Sequence, residues 1–145
     1  MSQSSKHNNV PAERGQCQTI DLTGKIALID GHWQPRVVAE MNDYQFKVVR
    51  VEGEFQWHRH ADTDETFIVL GGELRIEFRA GPSGDGSIVL RAGQMAVVPK
   101  GVEHKPCANA EVKLLLIEPR GVVNTGDGAA GERTEVGRNS WRPTG

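Results

Sequence analysis

From Arg36 onward the sequence is cut into short stretches that leave little room for anything but strands. "RVVAEM", "YQFKVVRVE", "EFQWHRH", "ETFIVL", "ELRIEFR", "SIVLR", "QMAVVP" and "VKLLLIEP" are rich in Val, Ile and Phe. Between them stand Asn42-Asp43, Gly53, Gly71-Gly72, "AGPSGDG", Ala92-Gly93 and "PKG". Strand-length apolar runs separated by turn residues at short, regular intervals describe an antiparallel sandwich or barrel. No segment in this part is long and helical enough to form β-α-β units, which argues against a doubly wound fold. "GPSGDG" lacks the following helix and the Lys-Ser/Thr of a phosphate-binding loop, so it reads as a hairpin loop. Upstream, "DLTGKIALIDGHW" puts Leu22, Ile26 and Ile29 on one side of a short helix over Leu22–Ile29. The expectation is an all-β domain preceded by one short N-terminal helix.

A chain of 145 residues makes one such domain with tails. Residues 1–19 are polar and read as a flexible tail, residues 20–122 as the domain, and residues 123–145 as a glycine-rich tail. That second tail is expected to be loosely held or packed on a neighbouring subunit, with Trp141 its one large apolar residue. The 17 basic and 19 acidic side chains give a net charge of −2, with no basic block, so nucleic acid is not an expected partner. No run is long and apolar enough to cross a bilayer, and the first residues hold no signal-peptide core, so no membrane contact and a cytoplasmic location are expected. Cys17 and Cys107 show no metal or redox spacing and read as free thiols. Cys107 follows His104 closely, but strand alternation turns it away.

Within this frame the segment "WHRHADTDETFIVLGG" concentrates chemistry. Residues two apart on a strand face the same side, about 7 Å apart at their Cα atoms. His58 and His60 therefore aim at one point, while Trp57 and Arg59 face the other way. "ADTD" makes a polar turn, and a strand returning beside the first brings Glu65 opposite the pair. In "GQMAVVPKGVEHKP" the Pro99-Lys100-Gly101 turn is followed by His104 on the next strand. One of these histidines alone would be unremarkable, but three of only five at such positions are not a scattering of polar residues. Three histidines and one carboxylate suit zinc, iron, manganese, nickel or cobalt, and leave one or two coordination positions open. By the same parity Gln56 joins the ligand side as a candidate for orienting substrate, and Lys47 and Arg50 are candidates for an anionic one.

These residues carry a resemblance to the cupin superfamily. Gly53, His58, His60, Glu65 and Gly72 match its first motif, over residues 53–72. Gly93, Pro99, Gly101 and His104 match the second, over residues 93–109. Two details depart from the pattern: the Gly53–His58 gap is one residue short, and Asn109 falls one place later than the motif asparagine. The stretch "FKVVRVEGEFQWHRHADTDETFIVL" further resembles small bacterial single-domain proteins of the mannose-6-phosphate-isomerase-like type. The resemblance implies a double-stranded β-helix, or jelly-roll barrel, with one divalent transition metal inside on His58, His60, Glu65 and His104. Val48, Phe67, Val69, Met95, Val97 and Leu116 would form its apolar wall. A metalloenzyme follows as the expected function, an isomerase, lyase or dioxygenase acting on a chelating oxygenated small molecule. The alternative is a non-catalytic cupin that binds or senses a small molecule. "VKLLLI", with Phe55 and Trp57 facing outward, and the resemblance itself imply a homodimer.

Overall fold

The computed structural model describes residues 17–81, 84–128, 131 and 138–139. Most of the expected N-terminal tail, and Trp141, lie outside the described residues. One helix, α1 (Leu22–Ala27), precedes the strands β1 (Arg36–Met41), β2 (Tyr44–Glu54), β3 (Glu65–Gly71), β4 (Glu73–Gly81), β5 (Gly84–Arg91), β6 (Met95–Val98), β7 (Glu103–Pro119) and β8 (Arg138–Asn139). The helix ends two residues before the expected Ile29, yet Ile26 and Ile29 are both buried.

Strand β7 closes the molecule. Along one edge it pairs antiparallel with β2, from Tyr44↔Pro119 to Glu54↔Cys107. Its first residues pair on the other side with β4, as in Arg75↔Cys107 and Arg79↔Glu103. Its later residues pair there with β3, from Thr66↔Ile117 to Gly71↔Lys113. A register shift opposite Val51 and Gly53 loops 109–111 out of the ladder, where β7 changes partner. The displaced Asn109 of the second motif falls in this bulge. Gly72 sits against the same bend with φ +86, and a Cβ there would come 2.7 Å from the Glu111 carbonyl oxygen. Only glycine fits.

Alternation along β2 sorts its side chains between two cores. Val49 and Val51 join Phe67, Val69, Leu74, Ile76, Leu90, Val98, Val112, Leu114 and Leu116 inside the barrel. Val48 faces the other way, into a cluster with Ile26, Ile29 and Val38 beneath the helix. A strand covered on both faces explains the nearly unbroken apolar run "FKVVRV". Each buried Val or Ile contributes roughly 1.5–3 kcal/mol relative to exposure.

The expected interior wall is corrected at three positions. Val48 belongs to the helix-covered cluster. Met95 and Val97 are 55 % and 52 % exposed, because β6 pairs with β3 in a register that sends Ala96 and Val98 inward instead.

Candidate metal centre

Beyond Glu54 the chain leaves the regular ladder but stays beside β7. The Phe55 amide donates to Pro106, and His58 and His104 exchange both backbone hydrogen bonds, at 3.0 and 2.8 Å. Residues so paired across antiparallel chains carry their side chains on the same face. Their imidazole centroids consequently lie 4.3 Å apart. His60, two residues on, is tied to the second motif by the Gly101 amide, which donates to its carbonyl. The turn before Glu65 is tied there too, since the Lys100 amide donates to Asp64. Glu65 then opens β3 and points into the barrel beside Phe67 and Val69.

All four side chains are buried, and one donor atom from each lies within 4.8 Å of the others. Glu65 Oε1 is 2.9 Å from His104 Nε2, 3.3 Å from His60 Nε2 and 4.0 Å from His58 Nε2. Metal–ligand bonds of about 2.1 Å place neighbouring ligand atoms about 3.0–3.5 Å apart and opposite ones about 4.2 Å apart. The observed spacing fits. His58 Nδ1 faces the Gln56 carbonyl and His104 Nδ1 the Val102 carbonyl, both at 2.9 Å. A proton held on each Nδ1 by its carbonyl leaves the Nε2 lone pairs aimed at one another and at the carboxylate. His60 Nε2, for its part, is buried and off hydrogen-bond geometry with Glu65, so it has no partner. Acceptors converging in a buried space call for a cation, and the residues present fit a first-row metal.

The electrostatics agree. Burial, reinforced by the neighbouring His104, pushes His58 down to about 4, so it is neutral at pH 7. Burial also acts to lower His60, but Glu65, Glu118 and Asp127 together outweigh it and raise its pKa. Burial opposes the Glu65 charge, and His104 and His60 beside it reverse that, holding the carboxyl well below the usual range.

The centre lines a cavity of about 370 Å³, measured with its open mouth. His58 and Glu65 form one wall, and Trp33, Phe55, Phe67, Val49 and Leu116 much of the rest, with Asn124 among the lining residues. Phe55, expected on the outside, is buried and stacked on Trp33 with centroids 4.7 Å apart. Alternation breaks between Phe55 and His58 because residues 55–57 are not in a regular strand. Trp57 does stay outside, under Arg79 and Lys105.

The substrate candidates are placed elsewhere. Arg50 turns out of the barrel onto Glu111 and the Ile29 carbonyl. Lys47 does face inward, but it is fully buried with its Nζ 2.8 Å from Glu118 Oε1. Gln56 contributes its backbone carbonyl to His58, and its amide lies against Gly128, where a Cβ would come within 2.3 Å of Nε2. Cys107 is buried outside the cluster, near the Lys105 carbonyl.

The start of the C-terminal segment is better held than its composition suggests. Asp127 accepts from the Arg59 amide and from Arg59 Nε, and the Asp127 amide donates back to the Arg59 carbonyl. Thr125 is buried beside this clamp. Trp33, Asn124 and Glu118 are the residues that motif reasoning missed. Only Glu118 had a local signal, since it continues the inward series Leu114 and Leu116.

A family model for the cupin domain matches residues 46–118, half of the chain, with all four candidate ligands inside it. The chain belongs to the cupin family. Among its relatives this cupin is 36 % identical over 81 residues to the uncharacterised protein YdbB of Bacillus subtilis, covering 56 % of this chain and 68 % of that one. A cupin-2 domain protein of Shewanella frigidimarina shares 59 % identity, with a TM-score of 0.66 over 70 % of this chain and 95 % of that chain. At 20 % identity the likeness is one of fold: hydroquinone 1,2-dioxygenase PnpCD, in complex with Fe3+, gives a TM-score of 0.63 over 73 % of this chain and 33 % of its own.

Proposed function

We propose that this cupin is a metal-dependent enzyme acting on a small oxygenated molecule, with isomerase, lyase or dioxygenase chemistry. One observation carries the proposal. Three imidazoles and a carboxylate converge where two of them, His58 and Glu65, also line a cavity. His58, His60, Glu65 and His104 would hold a first-row metal with coordination positions to spare, and His58 and Glu65 border that space. A bound metal would supply Lewis-acid polarisation of a substrate oxygen or, as iron, redox chemistry with dioxygen. The chain's own residues do the rest. His58 and His104 are oriented through their Nδ1 protons, and Glu65 holds negative charge at the centre. Phe67, Val49 and Leu116 keep water from the reacting atoms, and Asn124 adds a polar side chain to the lining. Iron in the PnpCD dioxygenase supports the oxygenase branch. The engagement of Lys47 and Arg50 with acidic partners weighs against a phosphorylated sugar.

We also propose that the protein is a homodimer and works in the cytoplasm. Among the described residues, no helix is long and apolar enough to cross a membrane.

The test is elemental analysis of protein prepared without nickel, beside His58→Ala and His104→Ala. About one metal per chain, lost in both variants, is expected. Wild-type protein that takes up no metal on reconstitution would sink the enzyme reading. Metal with saturable ligand binding but no turnover would favour a binding cupin.

A further inference from the structure

The candidate metal ligands lie within the matched family segment, but part of the cavity lining does not. Trp33 and Pro35 precede residues 46–118, and Asn124 follows them. This chain has therefore built part of its binding surface from flanking segments.

Trp33 is the most telling of these residues. Its φ is +63, in the left-handed region that a bulky side chain rarely adopts. Such a conformation persists only when its surroundings over-determine it, and it is often found where function needs a group placed. Three contacts hold Trp33. Its amide donates to the Arg50 carbonyl at 2.8 Å, its indole Nε1 donates to the Glu52 carbonyl at 3.0 Å, and its ring stacks on Phe55. The indole N–H is thus satisfied by protein, and the ring serves the cavity as an apolar surface.

The result is an aromatic wall running to the centre. Trp33 stacks on Phe55 with their planes 23° apart, and Phe55 meets His58 edge to face at 5.4 Å. Phe67 stands edge-on to His104 at 6.1 Å. Val49, Val51, Leu114 and Leu116 complete the apolar lining. Apart from the ligands His58 and Glu65, the lining carries polar side-chain groups at Trp33, whose N–H is given to the Glu52 carbonyl, and at Asn124. A polyol entering here would leave hydroxyls without partners, and an anion would meet no cationic lining residue. An unsaturated ring meets neither penalty. The aromatic and aliphatic lining therefore suits one substituted six-membered ring, seated where the cavity opens beside the centre.

We infer that the cavity seats a planar aromatic ring against the Trp33–Phe55 wall, with its hydroxyl oxygens directed at His58 and Glu65. This rests on the metal-enzyme reading for the role of the oxygens, but the preference for a ring belongs to the wall and does not need the metal. Aromatic contacts of this kind are worth about a two- to tenfold gain in affinity beyond area burial.

Calorimetric titration tests both parts separately. Chelator-stripped protein is titrated with phenol and with cyclohexanol. Zinc-loaded protein, which cannot turn over by redox chemistry, is titrated with catechol and with trans-1,2-cyclohexanediol. The expected result is a preference of about two- to tenfold for each aromatic compound over its saturated counterpart. Trp33→Leu should bring both ratios close to one, and Trp33→Phe should keep most of the preference. Equal affinity for ring and saturated compound in the wild type would overturn the inference, whether or not either variant folds. A ring preference in stripped protein that takes up no zinc would uphold the wall while removing the metal reading. One zinc per chain with no ring preference would do the reverse.

Discussion

His58 is neutral in the fold and ordinary in the unfolded chain, which makes metal-free stability depend on pH. Between its folded pKa of about 4 and its ordinary value of 6.5, the unfolded state binds more protons, so stability falls as pH falls through that window. The size is about 3 kcal/mol. His60 acts in the opposite sense above its ordinary value, where its raised pKa stabilises the fold until pH rises through it. Urea melts of chelator-stripped protein at pH 6.5 and pH 4.5 should show a lower midpoint in acid, with His58→Gln removing most of the difference. A midpoint that does not move would contradict the burial argument. Lys47 and Glu118 present a different problem, a charge pair in an otherwise apolar strand series. Burial and the nearby Glu65 raise the Glu118 pKa, while Lys47 opposes them. Lys47→Met should cost about 3–5 kcal/mol, because it leaves Glu118 buried without its cation. Adding Glu118→Leu should recover most of that loss, as denaturant titration of the single and double variants would show.

Segments outside the regular ladder do much of the work at the centre. Residues 55–60 leave the even alternation of β2, which is why Phe55 and His58 both face inward. The chain from Val123 to Gly128 lies over them and is held by Arg59 and Asp127. Gly126 makes the close approach possible. At φ +53, a Cβ there would come 2.3 Å from the Arg59 carbonyl oxygen and 3.2 Å from His60 Nδ1. Gly126→Ala should therefore push the segment off Arg59 and His60, costing about 1–3 kcal/mol and, if the proposed centre binds zinc, weakening its affinity severalfold. Gly121→Ala shares the positive φ but meets nothing within 4 Å, so it should lower stability alone. Thermal melts and competition against a chromophoric chelator would separate the two effects. Equal zinc affinity in both variants would show that the segment is not part of the site.

Two cores give the molecule its shape, one inside the barrel and one between the helix and the outer face of β1 and β2. Neither covers the outer face of β6, where Met95 and Val97 are exposed on a strand that, among the described residues, pairs with β3 alone. Leu70 and Val89 are also exposed, at 37 % and 42 %. An apolar sheet edge of this kind invites a second chain. The proposed dimer should appear in analytical ultracentrifugation at micromolar concentration as a particle of twice the 15.9 kDa chain. Met95→Lys with Val97→Lys should yield monomer that still binds metal. A wild-type monomer under those conditions would exclude the dimer.

The strand pattern, the turns and the four metal-ligand candidates were legible in the sequence because each depends on near neighbours. Period-two alternation placed Phe67, Val69 and Leu116 inside, and the spacing of Leu22, Ile26 and Ile29 marked the helix. The His-x-His pair and Glu65 lie within one turn of chain, and His104 follows a motif as local as theirs. Tertiary structure alone decided what surrounds them. Alternation holds only while the ladder is continuous, so Phe55 was assigned to the wrong face once the chain left β2. Val48, Met95 and Val97 alternate as expected, but which parity faces inward is set by the partner strand or the covering helix. Trp33 reaches the cavity through hydrogen bonds to Arg50 and Glu52 and a stack on Phe55, all far along the chain. Lys47 and Arg50 read alike as strand cations, yet one finds Glu118 and the other Glu111 only when β7 is laid beside β2. Spacing along the chain selects the candidate metal ligands, whereas the walls of the cavity come from side chains that only the closed barrel brings together.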